Sequence, residues 1–138
     1  AFRSAFGVIE QGVRRAVREV AGEYVIGLVD ANESQLFEGV VDAVFVCEPD
    51  LERELIRALG VAGVESVIEA EGELDSFRGL QLQPAQRERP IESQLVRFLA
   101  GRSRNKMRYA RLLANAVPLE RAPSPLVGVV RAAAETPR

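Results

Sequence analysis

Histidine is absent from this 138-residue chain, cysteine and lysine occur once each, and aromatic side chains make up 6%. Without histidine there is no Ser-His-Asp triad, no Cys-His pair and no imidazole metal ligand. A single cysteine, Cys47, cannot close an internal disulfide and cannot build a zinc cluster, which fits a reducing compartment. No apolar run approaches the roughly 20 residues that span a bilayer, and no apolar signal core follows a basic start. A cytoplasmic protein without a membrane partner is expected. The start at Ala1 leaves open a missing partner segment.

What remains is 47% apolar and 28% charged, a mixture that suits one water-soluble globular domain with a single core. Its chemistry must run on carboxylates, hydroxyls, arginine or lysine. The net charge of −2 conceals a separation along the chain. Residues 1–41 carry 4 basic and 6 acidic groups, residues 42–75 carry 2 and 10, and residues 76–138 carry 12 and 4. An acidic site beside a basic surface follows from that division. Seventeen of the 18 basic residues are arginine, a bias that a GC-rich genome produces, and Lys106 alone survives against it.

Ile9, Val13, Ala16, Val17 and Val20 recur at helical spacing and predict an amphipathic helix over residues 9–21. Tyr24 to Val29 and Ala43 to Cys47 are short, continuous apolar runs, each closed by polar turn residues. Such runs suit strands buried on both faces of a parallel sheet between helices. Two strands are few for a doubly wound sheet, so others are hidden in weaker segments or lie outside this chain. Leu51, Leu55, Ile56 and Leu59 mark a helix stopped by Gly60, and a second continues to Ala70. Further helices are predicted over 74–82, 91–99, 103–117 and 126–135, with Met107, Ala110, Leu113 and Ala114 facing inward in the third of these segments. A polar linker runs from Pro84 to Pro90, and Pro118, Pro123 and Pro125 interrupt the chain later. The fold class is therefore α/β, with an α/β part carrying the acidic site over 1–83 and a basic helical part over 84–138 within one domain.

Ligands of open parallel sheets sit outside the carboxyl ends of the strands. Both predicted strands end in oxygen donors there: Asp30 and Asn32 after the first, Glu48, Asp50 and Glu52 after the second. Hard divalent cations such as Mg²⁺ take such oxygens. The same residues also read as a capping turn at Asp30–Ser34 and as a helix start at Pro49–Glu52, where acidic groups favour the helix dipole. The run Arg102-Ser103-Arg104-Asn105-Lys106-Met107-Arg108 is dense enough to bind a polyanion, or to form a solvated face paired with the acidic segment. Tyr109 is the aromatic inside it and gives base stacking little support.

The blocks Leu28-Val29-Asp30-Ala31-Asn32-Glu33, Phe45 to Gly60, Val67-Ile68-Glu69-Ala70 and Asn105 to Ala110 resemble the Toprim region of OLD (overcoming lysogenisation defect) family ATP-dependent endonucleases. The resemblance covers about residues 24–118. It implies a Toprim-like small parallel sheet flanked by helices, a helix-rich C-terminal half, and DNA cleavage with Mg²⁺ or Mn²⁺. It further implies that Asp30, Asn32, Asp50 and Glu52 hold metal, that Glu52 and Lys106 are catalytic, and that Arg102, Arg104, Lys106 and Arg108 contact nucleic acid. Two positions depart from the family pattern. Asn32 stands where the family has a carboxylate, and its upstream glutamate finds only a poor counterpart in Glu10. No phosphate-binding loop is present, so an ATPase domain or subunit would be a partner. A split or truncated nuclease fits this pattern. The alternatives are a degenerate, non-catalytic Toprim module that binds nucleic acid or a partner protein, and a fragment whose sheet edge is covered by a second copy or by the rest of a longer protein.

Overall fold

The computed structural model describes residues 24–101 and 103–135, with Ser103 and Arg104 by their backbone alone. The helix expected over 9–21, the Glu10 segment and Arg102 lie outside the described residues, as do the side chains of Ser103 and Arg104. The described chain is α/β and rich in helix, and it divides into two compact units. Residues 24–50 with 124–135 form the first, and 51–123 form the second. The boundary between the units falls at residues 50 and 123.

In the first unit, strand β1 (Ile26–Asp30) pairs in parallel with β2 (Ala43–Cys47), in the register Ile26↔Ala43 to Asp30↔Cys47. A parallel pair needs a crossover of about a dozen residues. Residues 31–42 provide it, through a 3-10 turn (Ala31–Glu33) and a single helical turn, α1 (Ser34–Phe37). The Asp42 carboxylate accepts a hydrogen bond from the Val25 N–H at 2.6 Å and ties the crossover back to the start of β1.

The next four helices belong to the second unit, and the last helix, α6 (Ser124–Glu135), returns to the first, where it packs on both strands. Gly128 makes that approach close, since a Cβ there would overlap the Phe45 ring. Pro125 occupies the first turn of α6, where its missing N–H is not needed, so the helix begins two residues before its expected start. Burial on both faces is realised only in part. Gly27, Val29 and Cys47 are buried, and the other strand residues are half-buried. Among the described residues no third strand joins the sheet, so each strand keeps one edge without a neighbour.

The second unit is helical: α2 (Leu51–Ala70), α3 (Leu74–Leu82), α4 (Ile91–Leu99) and α5 (Ser103–Ala116). Leu55, Ile56, Val64 and Ile68 from α2 share one core with Phe77, Leu95, Phe98, Leu99, Tyr109 and Leu113. Apolar spacing on α5 had pointed Met107 and Ala114 inward, yet both are exposed, Met107 at 58%. Tyr109 takes the inward position, because its ring meets Phe98 at 6.1 Å while Phe98 meets Phe77 at 5.4 Å. Its burial also removes it as a stacking surface for bases. Gln94 closes the α3–α4 connection by donating to the Gln86 carbonyl at 2.8 Å and accepting from Gln81 at 3.0 Å.

Gly60 breaks α2, as its position in the sequence anticipates. Its φ of 75° and ψ of 162° fall where essentially only glycine is found. Gly60→Ala should therefore lower stability by about 1–3 kcal/mol. Gly79 lies inside α3 with open space where a Cβ would go, so Gly79→Ala should raise stability by about 0.5–1 kcal/mol. Urea unfolding of the two variants checks the opposite signs.

Candidate functional site

At the carboxyl end of the parallel pair, Asp30 closes β1 in extended backbone, with φ −75° and ψ 152°. Its side chain makes no capping bond to the turn that follows. The Ser34 hydroxyl donates to the Ala31 carbonyl at 3.0 Å within that turn. The Ala31 N–H donates across the edge to the Pro49 carbonyl at 3.0 Å. This bond sets Asp30 and Asp50 one residue away from a joined backbone pair. Both are half-buried, while Asn32 is exposed in the 3-10 turn. One edge of the first unit thus presents two carboxylates and an amide from a short stretch of backbone.

Glu52 belongs to the second unit. It sits in the first turn of α2, where the helix start expected at Pro49–Glu52 is realised at Leu51 and where Glu52 and Glu54 complement the helix dipole. Glu52 is only 7% exposed, and Lys106 on α5 reaches it with Nζ 3.4 Å from Oε1. The two residues expected to be catalytic are therefore partners in an ion pair. A buried carboxylate needs such a counter-charge. The Lys106 side chain keeps 56% exposure.

The four expected ligands do not form one group. Among the described residues no three His, Cys, Asp or Glu side chains gather in a way that could hold a metal ion. What the edge of the first unit offers is smaller: Asp30 and Asp50, with Asn32 close in sequence. Mg²⁺ is commonly held by one or two carboxylates, with waters and substrate phosphate oxygens filling its remaining positions. The donor chemistry of that edge fits this limited mode and does not fit a three-carboxylate centre.

The basic run divides differently from expectation. Arg108 turns to the acidic segment: Nη1 lies 3.6 Å from Glu71 Oε1, and Nη2 donates to Glu73. The Tyr109 hydroxyl donates to the same Glu73 carboxylate at 2.8 Å. With Lys106 on Glu52, both described cations of the run meet carboxylates of segment 42–75. Pairing with the acidic segment is thus realised at these two positions. Sequence reasoning missed Glu71 and Glu73 as their partners, although the Glu69-Ala70-Glu71-Gly72-Glu73 turn was a visible acidic concentration opposite the basic half.

Burial and the hydrogen bond to Glu73 push the Tyr109 phenol above the ordinary tyrosine range. Because the folded value lies above the unfolded one, the associated stability is complete below about pH 10 and lost as pH rises through the folded value. Unfolding midpoints should fall above about pH 10 for the natural chain and less steeply for Tyr109→Phe. Urea midpoints measured between pH 8 and pH 11, a range set by the roughly pH 10 ordinary tyrosine value, check this.

No protein-family model, no curated protein and no solved structure matches the chain. No helix among the described residues is long and apolar enough to cross a membrane.

Proposed function

We propose that the chain is the Toprim-type part of a divalent-metal-dependent DNA endonuclease of the OLD kind, working with an ATPase domain or subunit. The observation that carries this reading is the carboxyl edge of the parallel pair, where the Ala31–Pro49 backbone bond draws together the segments bearing Asp30 and Asp50. Asp30 and Asp50 would hold Mg²⁺ or Mn²⁺, with Asn32 as a neutral oxygen donor. When bound, the cation supplies Lewis-acid activation of water and charge stabilisation at a phosphodiester. The residues of the chain do the rest. In the helical unit, exposed Lys106 would contact a DNA phosphate, and Glu52 would orient the lysine by pairing with its ammonium. With two carboxylates and no upstream glutamate in evidence, the chain alone is weakly active or inactive.

A second reading is supported by the lack of a three-carboxylate group among the described residues. On this reading the chain is a non-catalytic Toprim module that binds DNA or a partner protein. Supercoiled plasmid incubated with the chain, its ATPase partner and Mn²⁺, at salt low enough for DNA to bind, separates the two. Nicking that requires Mn²⁺ and disappears in Asp50→Ala supports the nuclease. Salt-sensitive DNA binding with no nicking supports the module. Robust nicking that survives both Asp50→Ala and Lys106→Ala overturns the assigned residues.

A further inference from the structure

Arg108, one of the two described cations of the run, meets two carboxylates and an aromatic ring. Glu71 and Glu73 both approach its guanidinium, whose central carbon also stands 4.8 Å from the centroid of the Tyr109 ring. A planar guanidinium binds carboxylate and phosphate through the same fork of N–H donors. Two carboxylates on one arginine therefore satisfy the donors that a nucleic-acid phosphate would take. The two acids are held unequally. Glu73 also accepts from the buried Tyr109 hydroxyl, whereas Glu71 approaches at 3.6 Å in an exposed turn. Exposed pairs of the second kind contribute little stability and yield readily to a competitor. The Arg108 side chain keeps 42% exposure, so a polyanion can reach it from solvent.

We propose that Glu71 and Glu73 act as an internal phosphate mimic that masks Arg108 and weakens DNA binding by the α5 run until a DNA phosphate displaces Glu71. The proposal rests on the reading of the chain as DNA-binding and adds a built-in brake to it. Glu73 anchors the guanidinium on one side, and Glu71 is the exchangeable arm. Each phosphate contact at Arg108 must first break a carboxylate contact, so the acids set the threshold for binding. They also keep Arg108 out of the count of cations whose counterions DNA binding releases.

Binding of the full chain to a double-stranded DNA oligonucleotide, measured between about 50 and 200 mM salt, tests the mask. Glu71→Gln leaves the Glu73–Tyr109 bond in place and should bind about two- to five-fold tighter at the lowest salt. Its dependence of log affinity on log salt should steepen by up to about 0.9, the contribution of one added phosphate contact. Glu120→Gln removes the same charge from an exposed position away from Arg108 and should keep the original slope. Adding Arg108→Gln to Glu71→Gln should erase the gain. Equal affinity and slope in Glu71→Gln and Glu120→Gln, or a gain that persists without Arg108, overturns the mask and leaves DNA binding standing. Failure of every variant to bind at the lowest salt overturns both the mask and the DNA-binding reading.

Discussion

Phe98→Ala is expected to bring the helical unit to the edge of unfolding. Phe98 stands on α4 between Phe77 of α3 and Tyr109 of α5, with ring centroids 5.4 Å and 6.1 Å away and interplanar angles of 64° and 58°. One side chain therefore joins three helices. Truncating a buried phenylalanine costs about 3–5 kcal/mol in lost transfer energy and cavity formation. Each edge-on or tilted aromatic pair adds about 0.5–1.5 kcal/mol. Whole domains are stable by only about 5–15 kcal/mol, so the loss is a large share of what holds this unit folded. Phe98→Leu keeps most of the volume and should cost about 1.5 kcal/mol or less. Urea unfolding followed by circular dichroism should rank the natural chain above Phe98→Leu, and Phe98→Leu well above Phe98→Ala. Equal midpoints for the alanine and leucine variants would remove Phe98 from its central place in the core.

The second large effect falls on chemistry. Asp50→Ala should reduce Mn²⁺-dependent nicking, assayed with the partner ATPase present, at least about 100-fold, the upper end of what loss of a supporting ligand-shell contact costs. Asp30→Ala should behave alike, because both carboxylates would bind the same cation. Asn32→Asp should act in the opposite direction. It adds the carboxylate that the family pattern has at this position and should tighten cation binding, since charge on the donor set raises affinity for a hard cation. Both aspartates are half-buried and engaged in the fold, so urea midpoints of each variant are measured alongside to separate lost folding from lost chemistry.

Much of the local structure was legible in the chain. The apolar run Ala43–Cys47 is β2 residue for residue, and the segments 74–82 and 91–99 are α3 and α4. In each case turn-forming residues bracket a clear periodicity. Gly60 was readable for a different reason, since a glycine after a helical face marks the place where the backbone leaves helical geometry. The inward face of α5 was misread because Met107 and Tyr109 lie two residues apart and both suit a core. Only the Phe77–Phe98 pair, which comes from other helices, selects Tyr109.

The division into units was hidden for the same kind of reason. α6 is apolar on most sides and carries no mark of its destination, and its packing against Phe45 depends on the bare face of Gly128. The candidate site was half legible. Turn chemistry placed Asp30 and Asp50 at strand ends, whereas the Glu52–Lys106 ion pair was not anticipated from the sequence. Charge counts could not say that Arg108 faces Glu71 and Glu73, because a sum over segments contains no distances.

The central claim is that the edge bearing Asp30 and Asp50 binds a divalent cation. Amide NMR spectra of the isotope-labelled chain during titration with Mn²⁺ test it most directly, because this paramagnetic ion broadens signals of nearby residues. Selective loss of the amides of Asp30, Ala31, Asn32, Glu48 and Asp50, reversed by excess Mg²⁺ and absent in Asp50→Ala, is the predicted result. Uniform spectra throughout the titration, or broadening confined to the Glu71–Glu73 turn, would contradict it.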